Sequence, residues 1–88
     1  MRLNPEFVMQ SVADSTVLVP VGDAAAKFHG ILQLNSTAAF IVECLKDDTT
    51  EEKIKDALDM EYDGTEEEFM QSIKEILSKL RQCGALIE

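Results

Sequence analysis

An α+β fold is what this sequence predicts: a three-stranded antiparallel sheet followed by three α-helices. Two observations carry that reading. Apolar residues follow a two-residue period as far as Leu34 and the 3.6-residue helical period from Asn35 onward. In addition, residues 34–45, LNSTAAFIVECL, are apolar almost all round, the pattern of a helix buried in the middle of a domain. With 88 residues the chain has room for one modest core, so one domain spanning 1–88 is expected.

The strands come first. Phe7 to Val12 and Ser15 to Pro20 are short runs rich in β-formers, and Ala13-Asp14 between them suits a tight hairpin. In the second run Val17, Val19 and Val21 alternate with Thr16, Leu18 and Pro20, so both faces carry apolar groups. Pro20 has no amide proton to give a ladder and marks the strand's end. Gly22-Asp23 is a turn signal, and residues 21–26 read as a loop. Residues 28–34 read as the third strand, with Phe28, Leu32 and Leu34 on one side and His29, Ile31 and Gln33 on the other.

The helices follow. Asn35 and Ser36 both suit an N-cap, because their side-chain oxygens accept amide protons left free by a first turn. At 100° per residue Ala38, Ile41, Val42 and Leu45 share a face, which Phe40 and Cys44 widen; Glu43 and Lys46 face water. Thr49-Thr50-Glu51-Glu52 offers a capping box for the second helix, which turns Ile54, Ala57, Leu58 and Tyr62 inward. Asp63-Gly64 ends it, and Thr65 to Glu68 offers a second capping box. The last helix is expected to run to about Cys83, with Gly84 as a left-handed cap and Ala85-Leu86-Ile87 folding back on the core.

Composition excludes several functions. Residues 1–42 carry three acids and two bases, whereas residues 43–88 carry fourteen acids and six bases, within a net charge of −9. Such a surface repels phosphate backbones, so nucleic acid is not an expected partner. The opening MRLNPEF lacks the apolar core of a signal peptide, and no apolar run nears the roughly 20 residues of a membrane span. A cytoplasmic protein without membrane contact is expected. Cys44 and Cys83 occupy apolar helix positions without a neighbouring His or Cys, which points to free thiols rather than a disulfide or a metal site.

Catalysis lacks its parts. The chain has one histidine, His29, no nucleophile with a base, no Gly-rich phosphate loop and no ligand cluster, so neither an enzyme nor a cofactor is expected. Function then falls to a binding surface, and the last helix offers one. Phe69, Ile73, Ile76, Leu80 and Cys83 fall within about 80° of helical arc, which is the core stripe. Met70 and Leu77 lie roughly 100° and 80° from Phe69, and Lys74 and Arg81 border them. Two readings of that overhang stay open: packing on a neighbouring element, with the bases lying over it, or one wall of a groove.

Several segments resemble the PqqD family, named for a protein of pyrroloquinoline quinone biosynthesis. Leu34-Asn35-x-Thr37-Ala38-Ala39-x-Ile41-x-Glu43-x-Leu45 is similar to its signature. Thr50 to Ile54 with Leu58, then Glu61-Tyr62-Asp63, match its second helix and the end of that helix. Leu80-Arg81-x-x-Gly84-x-Leu86 matches its close, and Leu3-Asn4-Pro5 its start. The likeness keeps order and spacing along essentially the whole chain. Val42 departs from the Trp of many members, and Asp47-Asp48 from their Asp-Gly.

The resemblance implies a winged helix-turn-helix-like domain acting as a RiPP recognition element, a non-catalytic grip on the leader segment of a ribosomally made precursor peptide. It implies that the leader adds as a strand in the groove between the third strand and the last helix. The peptide is then delivered to a modifying enzyme, often a radical S-adenosylmethionine (radical SAM) protein. An exposed strand edge supplies main-chain hydrogen bonds for such binding, and pockets take alternate side chains. The expected lining is Phe28, Ile31 and Gln33 from the strand with Met70, Ile73, Lys74, Leu77 and Arg81 from the helix. A DNA-binding winged helix is the rival reading, opposed by the net charge and by Glu66, Glu67 and Glu68 at the end of the helix that meets bases. A structural subunit of an enzyme complex is a further alternative.

Overall fold

Alternation of apolar residues builds the sheet, and helical periodicity builds the layer that covers it. The structure, a computed structural model, describes residues 1–27 and 30–88. In order, the elements are β1 (Arg2–Leu3), β2 (Phe7–Val12), β3 (Ser15–Pro20), α1 (Asp23–Lys27), β4 (Leu32–Leu34), α2 (Ser36–Cys44), α3 (Glu51–Glu61), α4 (Glu66–Gln82) and β5 (Leu86–Ile87). The antiparallel sheet has the order β2-β3-β4, and β1 pairs with β5 in a separate two-stranded sheet. The expected three strands followed by three helices are present. Among the described residues no helix is long and apolar enough to cross a membrane.

The hairpin joins Val12 to Ser15 through Ala13-Asp14, and Ala13 takes a positive φ of 55° to close so short a turn. Opposed pairs Phe7↔Pro20, Met9↔Leu18, Thr16↔Leu34 and Leu18↔Leu32 fix the register. Paired residues share a face, so Phe7, Leu18 and Leu34 point together into the core, where each is buried. The intervening set, Val8, Gln10 and Val12 with Val17, Val19 and Gln33, forms the opposite face.

Two sequence expectations need correction here. Residues 21–26, read as a loop, contain α1: Gly22 makes the turn at φ 61°, but Ala24, Ala25 and Ala26 are strong helix formers and carry the chain through one helical turn. Glu6 caps it by accepting the Asp23 amide at 2.9 Å. The third strand is also shorter than expected. Gly30 at φ 153° lies in backbone space open to glycine, and regular pairing begins only at Leu32. Phe28 and His29 lie outside the described residues.

Asn35 is the N-cap of α2, its Oδ1 accepting the Ala38 amide at 2.8 Å. The helix sits at the centre as its composition requires: Ile41, Val42 and Leu45 are fully buried, and Ala38, Phe40 and Cys44 are half-buried around them. On α3 the N-cap is Thr50 rather than Thr49. The residue three further on is then Lys53, so a hydroxyl cap forms without a reciprocal carboxylate. Ile54 and Leu58 are fully buried, whereas Tyr62 stays exposed with its ring edge-on to Phe40 at 5.5 Å. Gly84 at φ 79° ends α4 as expected, and Ala85 beyond it is buried.

Candidate functional site

A strand at the rim of a sheet keeps one row of main-chain groups unpaired. The sheet has two such strands, β2 and β4, and β4 is the one next to α2 in the chain: it pairs with β3 on one side and, among the described residues, with no strand on the other. Its three residues differ in exposure as alternation dictates. Leu34 is buried, Leu32 half-buried and Gln33 exposed.

The wall beside this edge comes from α4. The helix starts at a complete capping box, in which the Glu68 amide donates to the Thr65 hydroxyl at 3.2 Å and the Thr65 amide to the Glu68 carboxylate at 3.3 Å. Three glutamates in its first turn and Lys79 and Arg81 in its last suit its dipole. Phe69, Ile73, Ile76, Leu77 and Leu80 are all buried, so the stripe that holds α4 on the fold includes Leu77.

Two depressions lie on the β4 and α2 side of α4. One is lined by Leu32, Lys79, Gln82 and Cys83. The other is lined by Asn35, Thr37, Ala38 and Ile41 opposite Ser72, Glu75, Ile76 and Lys79. Lys79 borders both depressions, which together make up a furrow on this side of α4. Its floor is apolar at Leu32, Ile76 and half-buried Cys83, whose thiol donates to the Leu80 carbonyl at 3.5 Å. Its rim holds Lys79, which takes part in none of the ion pairs formed among the described residues.

The expected helix residues lie elsewhere. Met70 lines a depression with Glu51, Glu52, Lys55 and Glu66, on the α3 side of the helix. Ile73 and Leu77 are fully buried in the core, which corrects the placing of Leu77 off the core stripe. Arg81 donates from Nη2 to Glu88 at 2.8 Å, and Lys74 is exposed. The apolar overhang is therefore helix packing: α3 lies along that edge of α4 and needs a wider arc to cover. Of the strand residues, Ile31 is 60% exposed just ahead of β4 and Gln33 points away from the core; Phe28 lies outside the described residues. The depressions beside β4 are lined by Leu32, Ser72, Glu75, Lys79 and Gln82, which the sequence did not single out. Their signal was the other border of the same stripe, where Ser72, Glu75 and Lys79 recur at helical spacing.

Electrostatic perturbations fall on exposed pairs away from the furrow. The hydrogen bond from Arg81 holds the Glu88 carboxyl below its usual value, and hydrogen bonding to the chain's amino terminus does the same for Asp48. Glu66 raises Lys55, mainly by accepting its hydrogen bond. Burial pushes the Cys44 thiol up, which suits a packing role rather than a reactive one. Among the described residues no cluster of His, Cys, Asp or Glu could hold a metal ion.

Known proteins share this fold. A solved chain of TbiB1 in complex with the TbiA(beta) leader peptide is similar in fold, with a TM-score of 0.76 and 20% identity over 98% of this chain and 94% of that one. A lasso peptide synthetase B1 complexed with the leader peptide gives a TM-score of 0.75 and 25% identity over 99% of this chain and 96% of that one. No curated protein sequence matches. The profile of coenzyme PQQ synthesis protein D (PqqD) covers residues 15–86, from the start of β3 into β5. The chain belongs to the PqqD family.

Proposed function

We propose that this protein binds the leader segment of a ribosomally made precursor peptide as an added strand on the outer edge of β4, and presents that peptide to a modifying enzyme. The observation that carries this is the open β4 edge running beside the furrow of Leu32, Lys79, Gln82 and Cys83. Main-chain hydrogen bonds to the edge give affinity, and the furrow sorts the side chains that point toward α4. The two structural neighbours with leader peptides bound support the reading.

The role is non-catalytic, a reading supported by family membership. Chemistry belongs to the partner. Family membership supports a radical SAM enzyme, and the lasso peptide synthetase neighbour supports a lasso-forming system. Either setting is cytoplasmic, where precursor peptides are made. The expected site residues Ile31 and Gln33 keep their place at the strand. On the helix, Lys79, Gln82 and Cys83 take over from Met70, Lys74, Leu77 and Arg81, while Ile73 supports the wall from within.

The test is calorimetry with the precursor encoded beside this chain, followed by amide exchange of the complex. Protection gained at residues 31–34 and along the α4 border is expected. Tight binding that protects α3 and leaves β4 unchanged would overturn strand addition.

A further inference from the structure

Leu32 and Leu34 turn the same way from β4, and Gln33 between them turns the other way into solvent. Cross-strand partners share a face. A strand added at β4 therefore aims the residues opposite Leu32 and Leu34 toward α4, and the residue between them away. The two inward positions lie roughly 7 Å apart along the strand. They meet different surroundings. Beside Leu32 the lining is Gln82 and Cys83, with no carboxylate. Past Leu34 it is polar, with Asn35 and Thr37 opposite Ser72 and Glu75. Lys79 borders both.

We propose that the furrow selects its leader by two side chains separated by one residue: an apolar one opposite Leu32 and an acidic one opposite Leu34, held by Lys79. The inference rests on the leader reading above and narrows it from any extended peptide to one class. The first position is apolar because Leu32 and Cys83 are half-buried and the Cys83 thiol already donates to the Leu80 carbonyl at 3.5 Å. Nothing there calls for a charged side chain. The residue between the two faces solvent beside Gln33 and is free to vary.

Lys79 decides the sign of the second position. It follows Glu75 at the i, i+4 spacing where glutamate and lysine pair on a helix. Here Glu75 instead accepts from the Gln71 side-chain amide at 3.4 Å, and Lys79 takes part in none of the ion pairs among the described residues. Within the furrow the carboxylate has a partner and the ammonium has none, so an acid fits better than a base. The other acids of α4 do not reverse this. Glu68, the nearest glutamate of its first turn, stands roughly 17 Å along the helix from Lys79. That is twice the screening length of about 8 Å at physiological salt.

The experiment is calorimetry of the full chain with variants of the precursor encoded beside it. An alanine scan of the leader should find two sensitive positions, one apolar and one acidic, on either side of an insensitive one. Exchanging those two side chains keeps composition and net charge, yet should weaken binding about tenfold. Replacing the acid by lysine should weaken it about fivefold, and Lys79→Glu should bring that altered peptide back to within about twofold of the parent pair. Lys74→Glu makes the same change of charge on the α3 border of α4 and should restore nothing. Both chain variants should melt like the parent, so a lost fold cannot imitate either result. An exchanged peptide that binds as the parent peptide does, or a reversed pair that Lys79→Glu fails to restore, would overturn the selection rule and leave strand addition standing. A parent chain that binds the precursor without protecting β4 from amide exchange, or does not bind it, would instead sink the leader reading before any variant is made.

Discussion

Gln33 on β4 stands directly across the ladder from Val17 on β3, and both point away from the helices. That one pairing decides which strand residues can meet α4. Leu32 and Leu34 turn toward it, so the furrow is floored by Leu32 while Gln33 and Ile31 border the other face. A slip of one residue would exchange the two sets, and with them the chemistry offered to a peptide.

Leu77 and Met70 separate core from surface along α4. Leu77 is fully buried and Met70 half-buried beside α3. Leu77→Ala should cost roughly 2–5 kcal/mol, as large-to-small changes in a closed core do, and Met70→Ala clearly less. Neither residue borders the furrow, so Met70→Ala should leave precursor affinity unchanged. Chemical denaturation together with calorimetry checks both. Equal losses of stability would contradict the burial difference.

Ala13 offers a gain. Its φ of 55° is one that alanine holds at a cost and glycine does not. Ala13→Gly should therefore stabilise the hairpin by up to about 1 kcal/mol, with the added freedom of the unfolded chain subtracting from the relief. Thermal melting measures it. A lower melting temperature would mean that the turn carries no strain.

Much of this architecture was legible in the sequence because it follows from short-range rules. The hairpin around Ala13-Asp14, the buried α2, the capping box at Thr65 and the left-handed Gly84 all come from residues acting within one turn of themselves. The site was legible only in outline. Periodicity located the α4 stripe but could not tell which border meets β4 and which meets α3, because both borders carry residues at the same spacing. Apolar overhang at Met70 and Leu77 suggested a groove, whereas the spare apolar width was needed against α3. A furrow that stays open to solvent is instead edged by Ser72, Glu75, Lys79 and Gln82. Similarly, β4 begins only at Leu32, past Gly30 and Ile31, where the β-rich composition had suggested an earlier start.

Acid should loosen the two ends of the chain. Asp48 accepts from the amino terminus at 2.8 Å and Glu88 from Arg81 at 2.8 Å, and both carboxyls are held below their ordinary values of 3.8 and 4.5. Depressed folded values mean that the stabilisation is present above those ordinary values. It is lost as pH falls through the lowered ones. Both groups are exposed, so the effect is small and screened by salt. Asp48→Asn should melt below the parent at pH 7 and together with it near pH 2. A constant gap between the two melting curves across that range would remove the pair from the account.

Lys79 and Lys74 sit on opposite borders of α4, and the same substitution at each isolates the furrow. Lys79 edges both depressions beside β4, whereas Lys74 lies exposed on the α3 side of the stripe. Each change to Glu shifts the net charge equally, so any long-range electrostatic effect on the peptide is the same for both. Only Lys79→Glu places a carboxylate against the added strand. It should weaken precursor binding several-fold, roughly 1 kcal/mol, mainly through slower association and with a changed salt dependence. Lys74→Glu should stay close to the parent in all three respects. Neither side chain supports the core, so both variants should melt like the parent. Calorimetry and stopped-flow association at two salt concentrations make the comparison. A larger loss at Lys74 than at Lys79 would move the peptide to the α3 side of the helix and return Met70 and Arg81 to the binding surface.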